Sequence, residues 1–322
     1  MPALTLPNIL AGVILLALTA YVLLGGADFG GGVWDLLASG PRRSEQRRLI
    51  TQAIAPVWEA NHVWLILAIV LLFTCFSPVF GAIAIVLHIP LTLMLLGIVL
   101  RGSTFMFRSY GGGGGRIFSA ASLLTPVLLG VCVGAVAAGA VPPGLRGDSF
   151  VASYIRPWLT PFSFAVGFFA LTCFAFLAAV YLTLETNEVP LQEDFRRRAL
   201  WAELAVVLMA VIGLVVFAEA PAVHAVVVAS VAAAVLATFW TLWKRRYLLA
   251  RVAAAATVTL IVWGWGLAQY PYLLPPDLTI EQAAAPRITL ELILVALVVG
   301  AAVLFPSLFY LFRIFKARPT NL

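Results

Sequence analysis

The segment Ala55-Pro56-Val57-Trp58-Glu59-Ala60-Asn61-His62-Val63-Trp64 sets an acid, an amide and an imidazole inside an otherwise apolar stretch. A second acid, Asp28, lies in the run Gly25-Gly26-Ala27-Asp28-Phe29-Gly30-Gly31-Gly32. A carboxylate within a hydrocarbon-spanning helix costs roughly 2.5–3.5 kcal/mol on insertion scales, so its default reading is functional. Two such acids near one membrane face suit a proton or ion path. His62 follows Glu59 by three residues and shares its helix face. It either relays protons or hydrogen-bonds the carboxyl and holds it in place. Asn61 and Trp58 read as polar support and packing. Arg101, at the end of the third apolar span, either balances Glu59 or serves as one more basic anchor at the membrane surface. The competing structural reading has Asp28 reaching to the interface and Glu59 paired with a cation such as Arg101. Asp35 reads as a solvated helix end.

Other chemistries find little support. His88, in His88-Ile89-Pro90, invites a haem-ligand reading, but His62 lies at a different depth and His224 near the opposite face, so no axial pair forms. A helix, quinone or lipid contact fits His88 better. Cys75, Cys132 and Cys173 all fall in apolar stretches without metal-type spacing, which speaks against a disulfide framework or a metal site. No Ser-His-Asp, zinc-binding or nucleotide-binding constellation is present. The run Gly111–Gly115 lacks the strand and the Lys-Ser/Thr of a phosphate loop and reads as a flexible connector. The glycines around Asp28 read instead as sites of close helix approach.

The elements that must carry these residues follow from composition. Of 322 residues, 63% are hydrophobic and only 11% charged, with a mean hydropathy of +1.05. So little polar surface excludes a soluble domain of this length and implies a polytopic membrane protein. The N-terminus has no basic region before its apolar run, so the first span is expected to be retained rather than cleaved. Requiring about 20 apolar residues per crossing gives spans near 8–33, 53–75, 78–100, 117–140, 160–184, 199–217, 221–243, 248–269 and 289–312. This nine-span parse puts seventeen of the twenty basic residues on one side and leaves only Arg146, Arg156 and Arg287 on the other. By the positive-inside rule the N-terminus is then outside and the C-terminus inside. The net charge of +6 thus reflects topology and not nucleic-acid binding.

The expected fold is an all-α integral membrane domain. It divides into two four-helix bundles, 1–145 and 146–270, with a peripheral ninth helix and tail over 271–322. Both bundles have a tight Pro-containing outer hairpin, and the second helix of each starts with an aromatic–acid pair, Trp58-Glu59 and Trp201 with Glu203. That pattern suggests a parallel repeat.

Taken together, the residues resemble subunit II of the bacterial cytochrome bd-type quinol oxidases, nearest to the cyanide-insensitive branch. The resemblance runs through Gly26-Ala27-Asp28-Phe29-Gly30, then Arg47-Arg48 leading to Ile54 through Ile66. It continues at Arg101 and at Tyr270-Pro271-Tyr272. It implies a heterodimer with a homologous subunit I that holds haems b and d and oxidises quinol. The complex would reduce oxygen to water with protons drawn from the cytoplasm, across the bacterial inner membrane. No haem would be bound by this chain. A bound quinone or lipid and a small accessory subunit are left open, alongside the membrane lipids. The resemblance also places the acids of this subunit, here Asp28 and Glu59, on a cytoplasmic proton channel at the subunit interface; the expected role is scaffold plus proton conductor, with Glu59 as principal relay and Asp28 nearer the mouth. Some relatives have a further acid where this chain has Gly25, and many have Asp-Gly where it has Glu59-Ala60. A standalone proton-coupled transporter is the rival reading, and it would need a polar substrate site at midplane.

Overall fold

The computed structural model describes residues 5–109, 115–144, 149–216 and 225–316, apart from the side chains at 55, 56, 59, 108, 109, 115, 116, 214–216, 225, 312 and 314–316. Helix α1 (Leu6–Leu36) starts where the Thr5 hydroxyl accepts the Asn8 amide N–H at 3.4 Å, with Pro7 in the first turn. It runs through the centre of the molecule and packs against α2 (Arg43–Cys75), α5 (Gly115–Ala137), α7 (Pro161–Leu182), α10 (Tyr247–Gln269) and α12 (Arg287–Lys316). Only a helix with little side-chain bulk can hold so many neighbours, and the glycine run supplies that. At Gly30 an added β-carbon would overlap the Phe174 carbonyl of α7, and at Gly32 it would overlap the Ser122 side chain of α5. The sequence expectation that these glycines mark close approach therefore agrees with the packing.

The remaining helices are α3 (Ser77–Val86), α4 (His88–Ser109), α6 (Phe150–Tyr154), α8 (Val189–Val216), α9 (Ala225–Trp243) and α11 (Ile280–Ala283). A two-stranded antiparallel pair, β1 (Tyr272–Leu274) with β2 (Leu278–Thr279), precedes α11. Among the described residues, seven helices are long and apolar enough to cross a membrane: α1, α4, α5, α7, α9, α10 and α12, read over their apolar cores. The second half of α2 (from Ala60) and α3 pass the same test only together, across a 115° bend at Phe76, and count as an eighth if taken as one span.

That bend changes the third span. Sequence alone runs it over 78–100, but residues 77–86 form a separate short helix packed near α6 and α11, and α4 begins only at His88. Arg101 consequently sits inside α4, not at its end. His88 stands at the break, exposed, with its Nδ1 2.9 Å from the Ile85 carbonyl and its ring 5.1 Å from that of Tyr154.

Polar contacts gather the helix connections at two ends. At one, Thr5 and Asn8 of the α1 start hydrogen-bond Glu281, and the Ala285 amide donates to the Cys75 carbonyl at 2.8 Å. At the other, basic end, Arg42 makes a two-pronged contact to Asp194 (2.6 and 2.9 Å), and the Gln46 amide adds a third at 3.0 Å. Arg198 donates to Gln46 at 2.8 Å, and Arg245 and Arg251 reach Glu193 and Glu185 at 3.4 and 3.7 Å. The α1–α2, α7–α8 and α9–α10 connections are thereby tied together. Asp35 belongs to this end but is not solvated as the sequence suggested. It is buried, with Arg47 3.8 Å from its carboxylate and donating to its carbonyl at 3.2 Å.

The Arg42 guanidinium, hydrogen-bonded to Asp194, holds that carboxyl below the usual carboxylate range. A depressed native value means the stabilisation is present above the unfolded carboxyl pKa, about 3.9, and is lost as pH falls through the native value. Asp194→Asn should therefore lower the thermal midpoint of the purified protein near neutral pH, with the gap to wild type closing below about pH 4. A gap of equal size at both pH values would show that the contact is not electrostatic.

Candidate functional site

Asp28 lies eight residues before the end of α1 and is fully buried. Its carboxylate meets the Arg101 guanidinium of α4 at 2.5 Å, with side-chain exposures of 0% and 1%. Arg101 Nη2 also donates to the Asp28 backbone carbonyl at 2.7 Å. Arg101 Nε donates to the Ser122 hydroxyl of α5 at 3.0 Å, and that hydroxyl donates in turn to the Phe118 carbonyl at 2.7 Å. The rings of Phe29 and Phe118 flank the guanidinium, with centroids 4.7 and 4.9 Å from Cζ. Asn61 of α2, also fully buried, approaches the second Asp28 oxygen at 3.5 Å. Four helices thus converge on one ion pair. The arrangement satisfies the conditions under which a buried pair is tolerated: close opposite charge, extra donors and acceptors, and polarisable walls.

The site differs from the sequence expectation in two respects. Arg101 is not a surface anchor; it pairs with Asp28. Asp28 does not reach to the interface. It lies level with Asn61, whose amide approaches it at 3.5 Å. The Glu59 side chain is outside the described residues, and its place in α2 is one turn before His62. His62 is half-buried, with Nδ1 2.9 Å from the Trp58 carbonyl, and its ring lies edge-on to Trp58 at 6.0 Å. Trp58 and His62 line a cavity of about 560 Å³ between α2 and α4, with Ile98, Gly102, Ser103 and Met106.

Sequence reasoning missed Ser122 and Tyr21. The signal for the first was available: Ser119, Ser122 and Thr125 recur at a three-residue spacing on α5 and are all buried. Tyr21 is fully buried on α1, seven residues before Asp28. Among the described residues its hydroxyl and the Asn61 carbonyl oxygen have no hydrogen-bond partner. Gly25, where some relatives are expected to carry an acid, faces the same cluster: a β-carbon there would lie 3.4 Å from the Asn61 amide.

Fold and site together define a helical membrane protein organised around a buried charge pair. Residues 6–315 match the family of cytochrome bd terminal oxidase subunit II, and the chain belongs to that family. A putative cytochrome bd menaquinol oxidase subunit II of Bacillus subtilis is 21% identical over 317 residues, covering 92% of this chain and 91% of that one. The cytochrome bd-I ubiquinol oxidase subunit 2 of Escherichia coli K12 is 31% identical over 101 residues, about a quarter of its own length. A second Bacillus subtilis relative, cytochrome bd ubiquinol oxidase subunit 2, is 31% identical over 88 residues and likewise matched over a quarter of its length. The solved bd oxidase of Geobacillus thermodenitrificans contains a chain of the same fold, with TM-score 0.78 and 23% identity, covering 98% of this chain and all of that one.

Removing one member of the pair leaves the other buried and uncompensated. Arg101→Leu should destabilise the protein by about 3–5 kcal/mol, whereas the double variant Asp28→Asn/Arg101→Gln should recover much of that loss. Unfolding of the detergent-purified protein measures both; additive losses would mean that the contact is not an energetic unit.

Proposed function

We propose that this chain is the second subunit of a respiratory quinol:oxygen oxidoreductase and contributes a scaffold and part of a proton path. Family membership supports the assembly. The proton path is supported chiefly by one observation, the buried cluster of Asp28, Arg101, Asn61 and Tyr21. Its Tyr21 hydroxyl and Asn61 oxygen lack protein partners among the described residues. Buried polar atoms of that kind are ordinarily satisfied by ordered water, the medium through which protons hop.

In this reading the haem-bearing subunit I is the partner, and its haems b and d supply electron transfer and oxygen reduction, with quinol as donor. The α2–α4 flank receives that partner. It exposes Ile66, Ile69, Phe73, Leu95 and Val99 along its length and includes the cavity walled by Trp58 and His62. Glu59 takes protons arriving from the basic end and His62 passes them toward the partner. The Asp28–Arg101 pair has a different task from the one sequence suggested. A carboxylate locked against a guanidinium is a poor carrier, so the pair orders the polar cluster instead and Glu59 carries the proton.

Counting α8 with the eight crossings above gives nine spans, the basic end facing the cytoplasm of a bacterial inner membrane and the N-terminus outside. The helices α1–α5 and α7–α10 form the two four-helix units (1–145 and 146–270). The segment 271–322 is peripheral, in keeping with α12 resting mainly on α1 and α2.

Glu59→Gln should lower quinol-driven oxygen consumption in membranes about tenfold or more, equivalent to ~1.4 kcal/mol or more of barrier, while the haem absorption spectrum stays intact. An unaltered rate would remove Glu59 from the mechanism; a lost spectrum would assign it to assembly.

A further inference from the structure

Helices α8 and α9 touch only lightly, and two adjoining cavities that share wall residues lie along their seam. The one toward the basic end, about 480 Å³, has Arg197 and Trp201 at its mouth and Leu200, Leu204, Phe239 and Glu203 along its wall. Glu203 is 3% exposed, and neither carboxyl oxygen has a hydrogen-bond partner among the described residues. No cation among the described residues forms an ion pair with it, since Arg197 turns to Glu193 at 3.6 Å. A buried carboxyl without a counter-charge is carried at least cost as the neutral acid, with one O–H to donate. Such a donor in an apolar wall requires an acceptor.

The surroundings specify that acceptor. Arg197, three-quarters exposed, lies six residues or about 9 Å before Glu203 on α8, and Lys244 and Arg245 follow the end of α9. Beyond Glu203 the cavity adjoins, along shared walls at Val207, Val235 and Leu236, an apolar space of about 680 Å³ lined by Phe162, Met209, Val231 and Ile261. A cation, then a hydrogen-bond donor, then a hydrocarbon slot is the order of phosphate, acyl ester and acyl chain in a glycerophospholipid.

We propose that the α8–α9 groove is a phospholipid site in which Arg197 holds the phosphate and Glu203 donates its proton to an acyl-ester carbonyl. This site is independent of the proton path and of the oxidase reading.

The contrast between an ester and an ether lipid tests it. The purified, delipidated protein in its native assembly is titrated with dioleoyl phosphatidylglycerol or with its diether analogue, which keeps phosphate and chains but lacks the carbonyls. Retention is read by native mass spectrometry. The ester lipid should bind roughly three- to tenfold tighter, the worth of one hydrogen bond. Glu203→Leu should abolish that preference, Glu203→Gln should keep it because the amide still donates, and Arg197→Ala should weaken both lipids alike. Equal binding of the two lipids by the wild type overturns the proposal even if the leucine variant fails to assemble. So does a preference that survives in Glu203→Leu.

Discussion

Opposite charges inside the hydrocarbon layer are tolerable only in contact, and the Asp28–Arg101 pair imposes that condition on four helices at once. Asp28 comes from α1, Arg101 from α4, Ser122 from α5 and Asn61 from α2. None of these contacts survives if α1 rotates or slides by a turn, because the guanidinium also grips the Asp28 backbone carbonyl. Breaking such a pair costs several kcal/mol, a large fraction of the stability of an ordinary domain. The pair therefore fixes the register of the central helix against its neighbours, and polar groups around it inherit their positions from it.

The glycines of α1 make that convergence feasible. Gly30 lets α7 approach until the Phe174 carbonyl faces bare backbone, and Gly32 admits the serine that receives Arg101. Larger residues at these positions would hold α5 and α7 away and leave the arginine without its acceptor. Packing and electrostatics are thus one device: small residues bring the helices together, and the charge pair selects which registers are allowed. The second half of the chain handles its buried acid differently. Among the described residues no cation pairs with Glu203, which lies where two helices part, not where they converge.

Much of this was legible in the sequence. Hydropathy gives the helical membrane architecture, and the energetic oddity of Asp28 marks the region where the buried ion pair lies. The glycines announce close packing. What was hidden is tertiary. Arg101 follows an apolar run and looks like a surface anchor because hydropathy does not register the 115° bend at Phe76, which delays the descent of α4 and carries the arginine into the interior. Asp35 looks solvated because it ends a span, yet its burial depends on Arg47 from the next helix. Burial of Glu203 depends on α9, remote from its own segment. Pairing partners across helices leave no periodic trace in a single chain.

In the proposed function Asp28 is a permanent counter-ion and not a proton carrier. Infrared difference spectroscopy of the assembled protein, stepped in pH or redox state, addresses it directly, because a protonated carboxyl has its own C=O stretching band. The account predicts that no such band is assigned to Asp28: the carboxylic region of the difference spectrum should be unchanged by Asp28→Asn and altered by Glu59→Gln. A carboxylic band that disappears in Asp28→Asn would contradict it.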